Sequence, residues 1–161
     1  MNIIPYDRHA AVEYARRWAF QRNPAYFDFS RLGGNCTNFA SQCLVAGGMP
    51  MNFHNPMGWF FRSSNDRAPA FTGVSHLYNF LTRSQVSRGP FAVQVDVNQV
   101  LPGDIIQLSF DGVVWRHTLV VVEQNGYDPL IATNTDDAFG RLLSSYTFAK
   151  ARALHILGGR V

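Results

Sequence analysis

The chain has 161 residues, of which 47% are hydrophobic and 14% aromatic, and its formal net charge is +3 at pH 7. This length and composition predict a single domain over residues 1–161 that buries a real core. No run of Lys and Arg exceeds two residues, and no apolar stretch approaches the roughly 20 residues that cross a bilayer. We therefore expect neither a nucleic-acid partner nor membrane insertion.

Residues 1–5 lack the basic start and the long apolar run of a signal peptide. The sequence therefore predicts a cytoplasmic protein or one exported by a non-classical route. The weak positive charge suits an anionic polymer such as a cell wall, although it serves ordinary solubility equally well.

The first half of the chain has helical spacing. Helices are predicted from residue 7 to about 22, from 36 to 46, and from Thr72 or Ser75 to Leu81. Residues 49–69 are rich in proline, asparagine and glycine and predict a long aromatic loop, a kind of segment that is often functional.

The second half alternates as strands do. Strands are predicted over residues 93–97, 105–108, 117–123, 130–134 and 153–157. Turn residues at 111–112 and 125–126 separate them as in hairpins. Helices followed by an antiparallel sheet indicate an α+β fold.

A cysteine follows two glycines at the start of the second helix. Gly33 and Gly34 allow a sharp turn, Asn35 is a good N-cap, and Cys36 falls in the first helical turn. The positive end of the helix dipole there favours the thiolate, which is the attacking form of a nucleophilic cysteine. The alternative is a small buried cysteine.

Cys43 is predicted to be a core residue. It lies about 10 Å from Cys36 by helical rise, too far for a disulfide. Two cysteines without a CxxC spacing also do not indicate a structural zinc site. We therefore expect no metal.

A nucleophilic cysteine needs a base, and histidine is the usual one. His117 has the strongest position, at the mouth of the best-defined strand. His155 is predicted to be a satisfied strand histidine, and His54 in the long loop is a weaker rival. His9 and His76 are predicted to lie on the surface.

Hairpin register then predicts a third residue. If residues 125–126 form a two-residue turn, His117 falls opposite Asn134, whose side chain can orient the imidazole. Asp128-Pro129 could lengthen the loop and shift the register. The shifted alternatives are Thr133, Thr135, Asp136 and Asp137.

Several motifs in this order carry a resemblance. They are residues 34–44, 58–61, 103–108, 117–118 and 141–144, with 6–8 and 11–15 near the start. Over residues 6–157 the chain resembles the bacterial putative amidase domain family. That family is similar to NlpC-type and CHAP cell-wall hydrolases, in which N-terminal helices pack on a C-terminal antiparallel sheet in a papain-like fold.

The resemblance implies a nucleophile at Cys36, a base at His117 and no cofactor. It also implies a structural role for Asp104 and a substrate among the peptide amide bonds of peptidoglycan stems. Family members often carry histidine where this chain has Asn134, so the third role differs here.

The resulting hypothesis is amide hydrolysis through an acyl-enzyme. The oxyanion is expected to bind the Cys36 N–H and a second donor, for which Asn35, Asn38 and Ser30 are candidates. Trp59, with its two phenylalanine neighbours, is expected either to wall the substrate groove or to belong to the core. Arg141 could bind a substrate carboxylate or pair with Asp137.

Two other functions remain open at this point. An acyltransferase would use the same residues, with an amine in place of water. A non-catalytic module that binds the cell wall or another protein would keep the fold without a reactive Cys36.

Overall fold

Four α-helices precede most of the sheet in the computed structural model, which describes residues 1–161. They are α1 (Arg8–Trp18), α2 (Cys36–Ala46), α3 (Pro69–Thr72) and α4 (Val74–Leu81). The predicted bounds of the cysteine helix are confirmed. None of the helices has the length and apolar character needed to cross a membrane.

Helix α1 begins as predicted and ends earlier. The Asp7 carboxylate accepts from the Ala10 N–H at 3.0 Å and caps its start. Its last turn lies against Asn134, which donates from Nδ2 to the carbonyl oxygens of Trp18 and Ala19, both at 3.0 Å. In a longer helix, backbone N–H groups from four residues ahead would donate to these carbonyls. Asn134 donates to them instead, and α1 stops four residues before Arg22.

Nine strands accompany the helices, and the first of them precedes α1. They are β1 (Ile3–Ile4), β2 (Phe61–Ser63), β3 (Asp66–Arg67), β4 (Gly89–Val95), β5 (Ile105–Ser109), β6 (Trp115–Glu123), β7 (Leu130–Thr133), β8 (Ala138–Leu142) and β9 (Lys150–Arg160). Strands β2 and β3 form a separate hairpin, and the other seven form one antiparallel sheet.

The last strand lies inside the sheet. Leu154 of β9 pairs with Ile105 of β5 on one side and with Gln94 of β4 on the other. Strand β1 extends the β5 side at Gly159 and Arg160. Beyond β5 the order continues β6, β7, β8, so the C-terminal strand joins the two parts of the sheet.

Each face of the sheet carries its own hydrophobic cluster. The larger cluster lies between the helices and the sheet and includes Phe39, Leu44 and Val120. The smaller cluster includes Leu119 and Val121. Since neighbouring strand residues point to opposite faces, the even-numbered residues of β6 from Thr118 on face the helices, and the odd-numbered ones face the smaller cluster.

The segment predicted as one long loop has more structure than its composition indicates. Asn52 and Trp59 exchange backbone hydrogen bonds, both at 2.8 Å, and β2 and β3 form a hairpin beyond them. Strand β8 was also not predicted, because Gly140 interrupts it in the left-handed region (φ +77°) and removes the alternation that marks a strand.

Candidate active site

Cys36 is the first residue of α2 and is 7% exposed. Asn35 occupies the N-cap position, but its side chain makes no capping bond. Its Oδ1 accepts instead from the Phe29 N–H at 3.1 Å and from Asn38 Nδ2 at 2.9 Å. The first-turn N–H groups therefore have no acceptor within the protein, and they lie beside the sulfur-bearing residue.

Asn35 is also fixed from the sheet side. Its Nδ2 donates to Asn134 Oδ1 at 3.0 Å, and its backbone N–H donates to Thr135 Oγ1 at 3.3 Å. Because Asn134 also bonds the end of α1, one asparagine connects α1, the start of α2 and the end of β7. This network sets the position of the residue just before Cys36.

His117 lies in β6 opposite Leu108 and is 6% exposed. The Phe110 ring stacks beside it at 6.4 Å between centroids, and the Tyr146 ring meets it edge-on at 5.6 Å. Burial lowers the pKa of His117 to about 4, while the charge of Asp136 raises it and that of Arg141 lowers it. The imidazole is therefore neutral at pH 7.

Hydrogen bonds on both sides of Cys36 tie it to the strand ends around His117. Thr37 Oγ1 and Thr118 Oγ1, on the residues that follow the cysteine and the histidine, lie 2.8 Å apart. On the other side is the bond from Asn35 to Thr135. No hydrogen bond joins Sγ of Cys36 to the imidazole. His117 pairs with Leu108 and so lies on the face of the smaller cluster. Tyr146 links the two groups, because its ring meets His117 and the charge of Cys36 acts on its hydroxyl.

The predicted register that placed Asn134 opposite His117 is wrong by one residue. Val120 lies opposite Ala132, not Ile131, because the loop over residues 124–129 is longer than the predicted two-residue turn. That loop moves the register by two residues, and a bulge near Val122 moves it back by one. A shift of one residue moves Asn134 to the face of Thr118. Its amide binds α1 and Asn35, and it makes no hydrogen bond to His117.

Among the alternatives to Asn134, Asp136 is the one whose charge acts on His117. Its φ is +50°, the one positive φ outside glycine, and such conformations cluster at functional sites. Asp137 instead pairs with Arg22 at 2.9 Å, so the predicted pair with Arg141 is wrong.

The predicted oxyanion side chains are occupied elsewhere. Asn35 Nδ2 binds Asn134, and Asn38 Nδ2 donates to the Phe27 carbonyl at 2.9 Å and to Asn35. Ser30 Oγ donates to the Asp28 carboxylate on the surface. The amide donor of Asn35 therefore binds the end of β7, and that of Asn38 binds the loop before the helix.

The prediction that Trp59 lines a substrate groove is corrected. Trp59 is fully buried in the larger cluster, and its Nε1 donates to Ser41 Oγ at 3.0 Å. Phe60 and Phe61 are buried with Trp59, whereas Phe53 is exposed. The exposed aromatic beside the site is Phe110, which is 47% exposed.

Sequence reasoning did not identify Phe110 and Tyr146, and it left open what Arg141 binds. The guanidinium of Arg141 lies 3.7 Å from the centre of the Tyr146 ring and donates from Nε to Ser145 Oγ at 2.6 Å. Neither aromatic has a motif around it, because each reaches His117 through a turn. Only the three-dimensional fold shows them together.

The other ionisable groups form a separate cluster. Asp104 is fully buried and accepts from Arg8 at 2.7 Å, from His155 Nδ1 at 2.8 Å and from two backbone N–H groups. This agrees with the structural roles predicted for Asp104 and His155. Cys43 is fully buried, as predicted, and burial raises the pKa of its thiol. Both cysteines are free.

Comparison with known proteins places these residues in a family. The family model described as "Putative amidase domain" matches residues 5–157. The chain is 39% identical over 142 residues to "Uncharacterized protein YhbB" of Bacillus subtilis (strain 168), an alignment that covers 85% of this chain and 44% of that protein. This chain thus spans less than half of that relative.

No solved structure matches the chain. The family match alone covers nearly the whole sequence, including both Cys36 and His117, and its description indicates hydrolysis of amide bonds. The chain belongs to the putative amidase domain family.

Proposed function

We propose that this protein is a cysteine amidase or peptidase in which Cys36 is the nucleophile and His117 the general base. The observation that supports this best is a thiol at an uncapped helix N-terminus, where the next residue, Thr37, is hydrogen-bonded to the strand that carries a buried, neutral imidazole. A nucleophile and a neighbouring base are the minimum for covalent acyl transfer.

The proton moves from thiol to imidazole as the substrate is attacked. The pKa of His117 is lowered to about 4, mainly by burial, so the imidazole is neutral in the free enzyme at pH 7. It can take the thiol proton during attack only because nearby negative charge stabilises the imidazolium. The Cys36 sulfur bonds to the carbonyl carbon, and the carbonyl electron pair moves to oxygen. On collapse the C–N bond breaks, His117 protonates the amine, and water then releases the acid.

The helix start supplies donors for the oxyanion. The backbone N–H groups of Cys36, Thr37 and Asn38 have no acceptor in the protein, and a donor preorganised at such a site contributes roughly 2.7–4 kcal/mol to the transition state. Asn35 leaves them uncapped because its own side chain is bonded elsewhere. We assign Asn35, Asn38 and Asn134 to holding this arrangement, not to contact with the substrate.

Asp136 takes the third role in this proposal. Its negative charge raises the pKa of His117 against the effect of burial and stabilises the imidazolium that forms during attack. Asn134, the residue expected there from the sequence, supports the nucleophile side of the site.

The proposed fold relationship is to the papain-like NlpC-type and CHAP hydrolases, and the proposed substrate is a peptidoglycan stem peptide. Stem peptides carry free carboxylates along with their amide bonds. Arg141 has no carboxylate partner in the protein, and its charge reaches His117. An unpaired guanidinium beside the reacting groups suits an anionic peptide.

Hydrolysis of purified muropeptides tests the proposal. The wild-type protein should release new amines, and Cys36→Ala should release none. Cys43→Ala is the matched control, because Cys43 is fully buried in the larger cluster and should have no part in the reaction. Native iodoacetamide labelling, read by mass spectrometry, should modify Cys36 and leave Cys43 unmodified.

Other results would replace the proposal. Product formation that requires an added amine would make the protein an acyltransferase. A Cys36 no more reactive than a cysteine in the unfolded chain, with no amine release by the wild type, would leave only a binding module.

A further inference from the structure

The chain after β8 is fixed against the sheet face that His117 shares. Leu143 is buried in the smaller cluster, and Ser144 donates from its N–H and its Oγ to the Asp128 carboxylate at 2.8 and 2.7 Å. The Tyr146 N–H then donates to the Leu143 carbonyl at 3.1 Å. Tyr146 therefore starts from a rigid short helical turn (Leu143–Ser145).

Tyr146 closes one side of the site. Its ring meets the His117 ring at 5.6 Å, and the Arg141 guanidinium covers it at 3.7 Å. Its hydroxyl oxygen is buried and has no hydrogen-bond partner. Buried hydroxyl groups nearly always have a partner, so this one requires an explanation.

The Tyr146 hydroxyl differs from the other unpartnered buried atoms in its chemistry and its position. The protein has two other buried side-chain atoms without partners, Asn38 Oδ1 and Arg160 Nη1. The first is an acceptor, and the second is on the edge of β9 away from the site, where Arg160 covers the Phe91 ring. Tyr146 alone offers a free donor on a side chain in contact with His117.

We propose that the Tyr146 hydroxyl is a catalytic donor that, together with the backbone N–H of Cys36, binds the oxyanion of the tetrahedral intermediate. This inference rests on the proposed function. The hydroxyl keeps its proton throughout: the thiol proton goes to His117, the carbonyl electron pair goes to the oxygen that Tyr146 binds, and collapse returns that pair to the carbonyl as the amine leaves.

The surroundings keep the hydroxyl protonated. Burial raises the pKa of Tyr146. Arg141 lowers it through its charge and through its approach to the hydroxyl, without the geometry of a hydrogen bond, and the charges of Asp136 and Cys36 raise it. A charge on Cys36 thus reaches the tyrosine hydroxyl, which places the two groups within electrostatic range. The group serves as a hydrogen-bond donor at neutral pH.

Two reagents with different chemistry at sulfur test the assignment without a known substrate. Acylation of Cys36 by p-nitrophenyl acetate passes through an oxyanion, whereas alkylation by iodoacetamide displaces iodide and forms none. Tyr146→Phe should lower the acylation rate about 100-fold, the effect of losing one oxyanion donor, and should leave alkylation within about twofold. Tyr127→Phe, at a turn residue that is 76% exposed, should change neither rate.

The ratio of the two rates decides the outcome. An acylation loss that exceeds the alkylation loss by less than about threefold overturns the assignment, because Tyr146 would then act on His117 or on the fold alone. Tyr146→Phe removes an oxygen that bonds nothing in the free protein, so its midpoint of thermal unfolding should not fall. A wild-type Cys36 acylated no faster than glutathione would refute the proposed function itself, independently of Tyr146.

Discussion

Two groups of histidine, aspartate and arginine lie in this protein, and they are built in opposite ways. In the group of Arg8, Asp104 and His155, the carboxylate accepts from both side chains and from the backbone N–H groups of Leu101 and Ile156. In the group of His117, Asp136 and Arg141, no hydrogen bond joins the three side chains, and Asp136 and Arg141 act on His117 through charge alone.

The difference separates structure from chemistry. A buried carboxylate with four donors has no capacity left for a substrate, and it holds three segments of the chain together. The imidazole of His117 makes no hydrogen bond in the protein, and its nitrogens are not among the fully buried atoms without a partner, so they remain open to a reaction partner. The same residue types therefore stabilise the fold in one place and form a candidate active site in the other.

Replacing the histidine of each group gives the sharpest contrast. His117→Gln should lower the acylation rate of Cys36 by about 10²–10⁴, the usual contribution of a general base. His155→Gln should leave the rate within about threefold when it is expressed per folded molecule. Release of p-nitrophenolate measures both, and equal losses in the two variants would show that His117 is not the base.

Replacing the aspartate of each group should have the opposite pattern in stability, with the larger loss in the group of Asp104. Asp104→Asn breaks a buried ion pair with Arg8 and should lower the free energy of unfolding by about 3–5 kcal/mol. Asp136→Asn should cost less than about 1 kcal/mol, because Asn also tolerates the left-handed backbone and no hydrogen bond is lost. Denaturant unfolding at pH 7 measures both values, and similar losses would contradict the contrast.

Acid should lower the free energy of unfolding, because the pKa of His117 is lower in the folded protein than in the unfolded chain. Its pKa, about 4 in the folded protein, lies below the ordinary 6.5, so between these values the unfolded chain binds a proton that the folded protein does not. Stability is unaffected above pH 6.5 and falls as the pH drops toward 4, by up to roughly 3 kcal/mol.

The His117→Gln variant isolates this effect of pH. The wild type should lose more stability than the variant between pH 7.5 and 4.5, because the variant lacks the titrating ring. Equal losses would mean that the ring is protonated as easily inside the protein as outside it.

Local chemistry explains what the sequence predicted well. Glycines, an N-cap residue and helical spacing all lie within residues 33–48, so α2 has its predicted bounds. The strand that carries His117 has a dense β-branched run and starts two residues earlier than predicted, at Trp115. Signals of this kind are complete within a short window of the chain.

Pairing between distant segments explains what failed. The long loop over residues 124–129 shifts the register and moves Asn134 away from His117. Asp128-Pro129 marks that loop in the sequence, but nothing marks the bulge near Val122 that sets the final shift at one residue. The burial of Trp59 depends on the core that forms around it. Tyr146 reaches the site through a turn after β8, a strand that the sequence did not reveal.

The position of β9 has a consequence for how such a protein is made. Strands β4 and β5 both pair with β9, so the two parts of the sheet stay separate until residues 150–160 have been synthesised and inserted. Cys36 is made early, but the sheet around His117 is finished only after residues 150–160 have been made. The order of the sheet thus delays assembly of the candidate site until β9 has been synthesised.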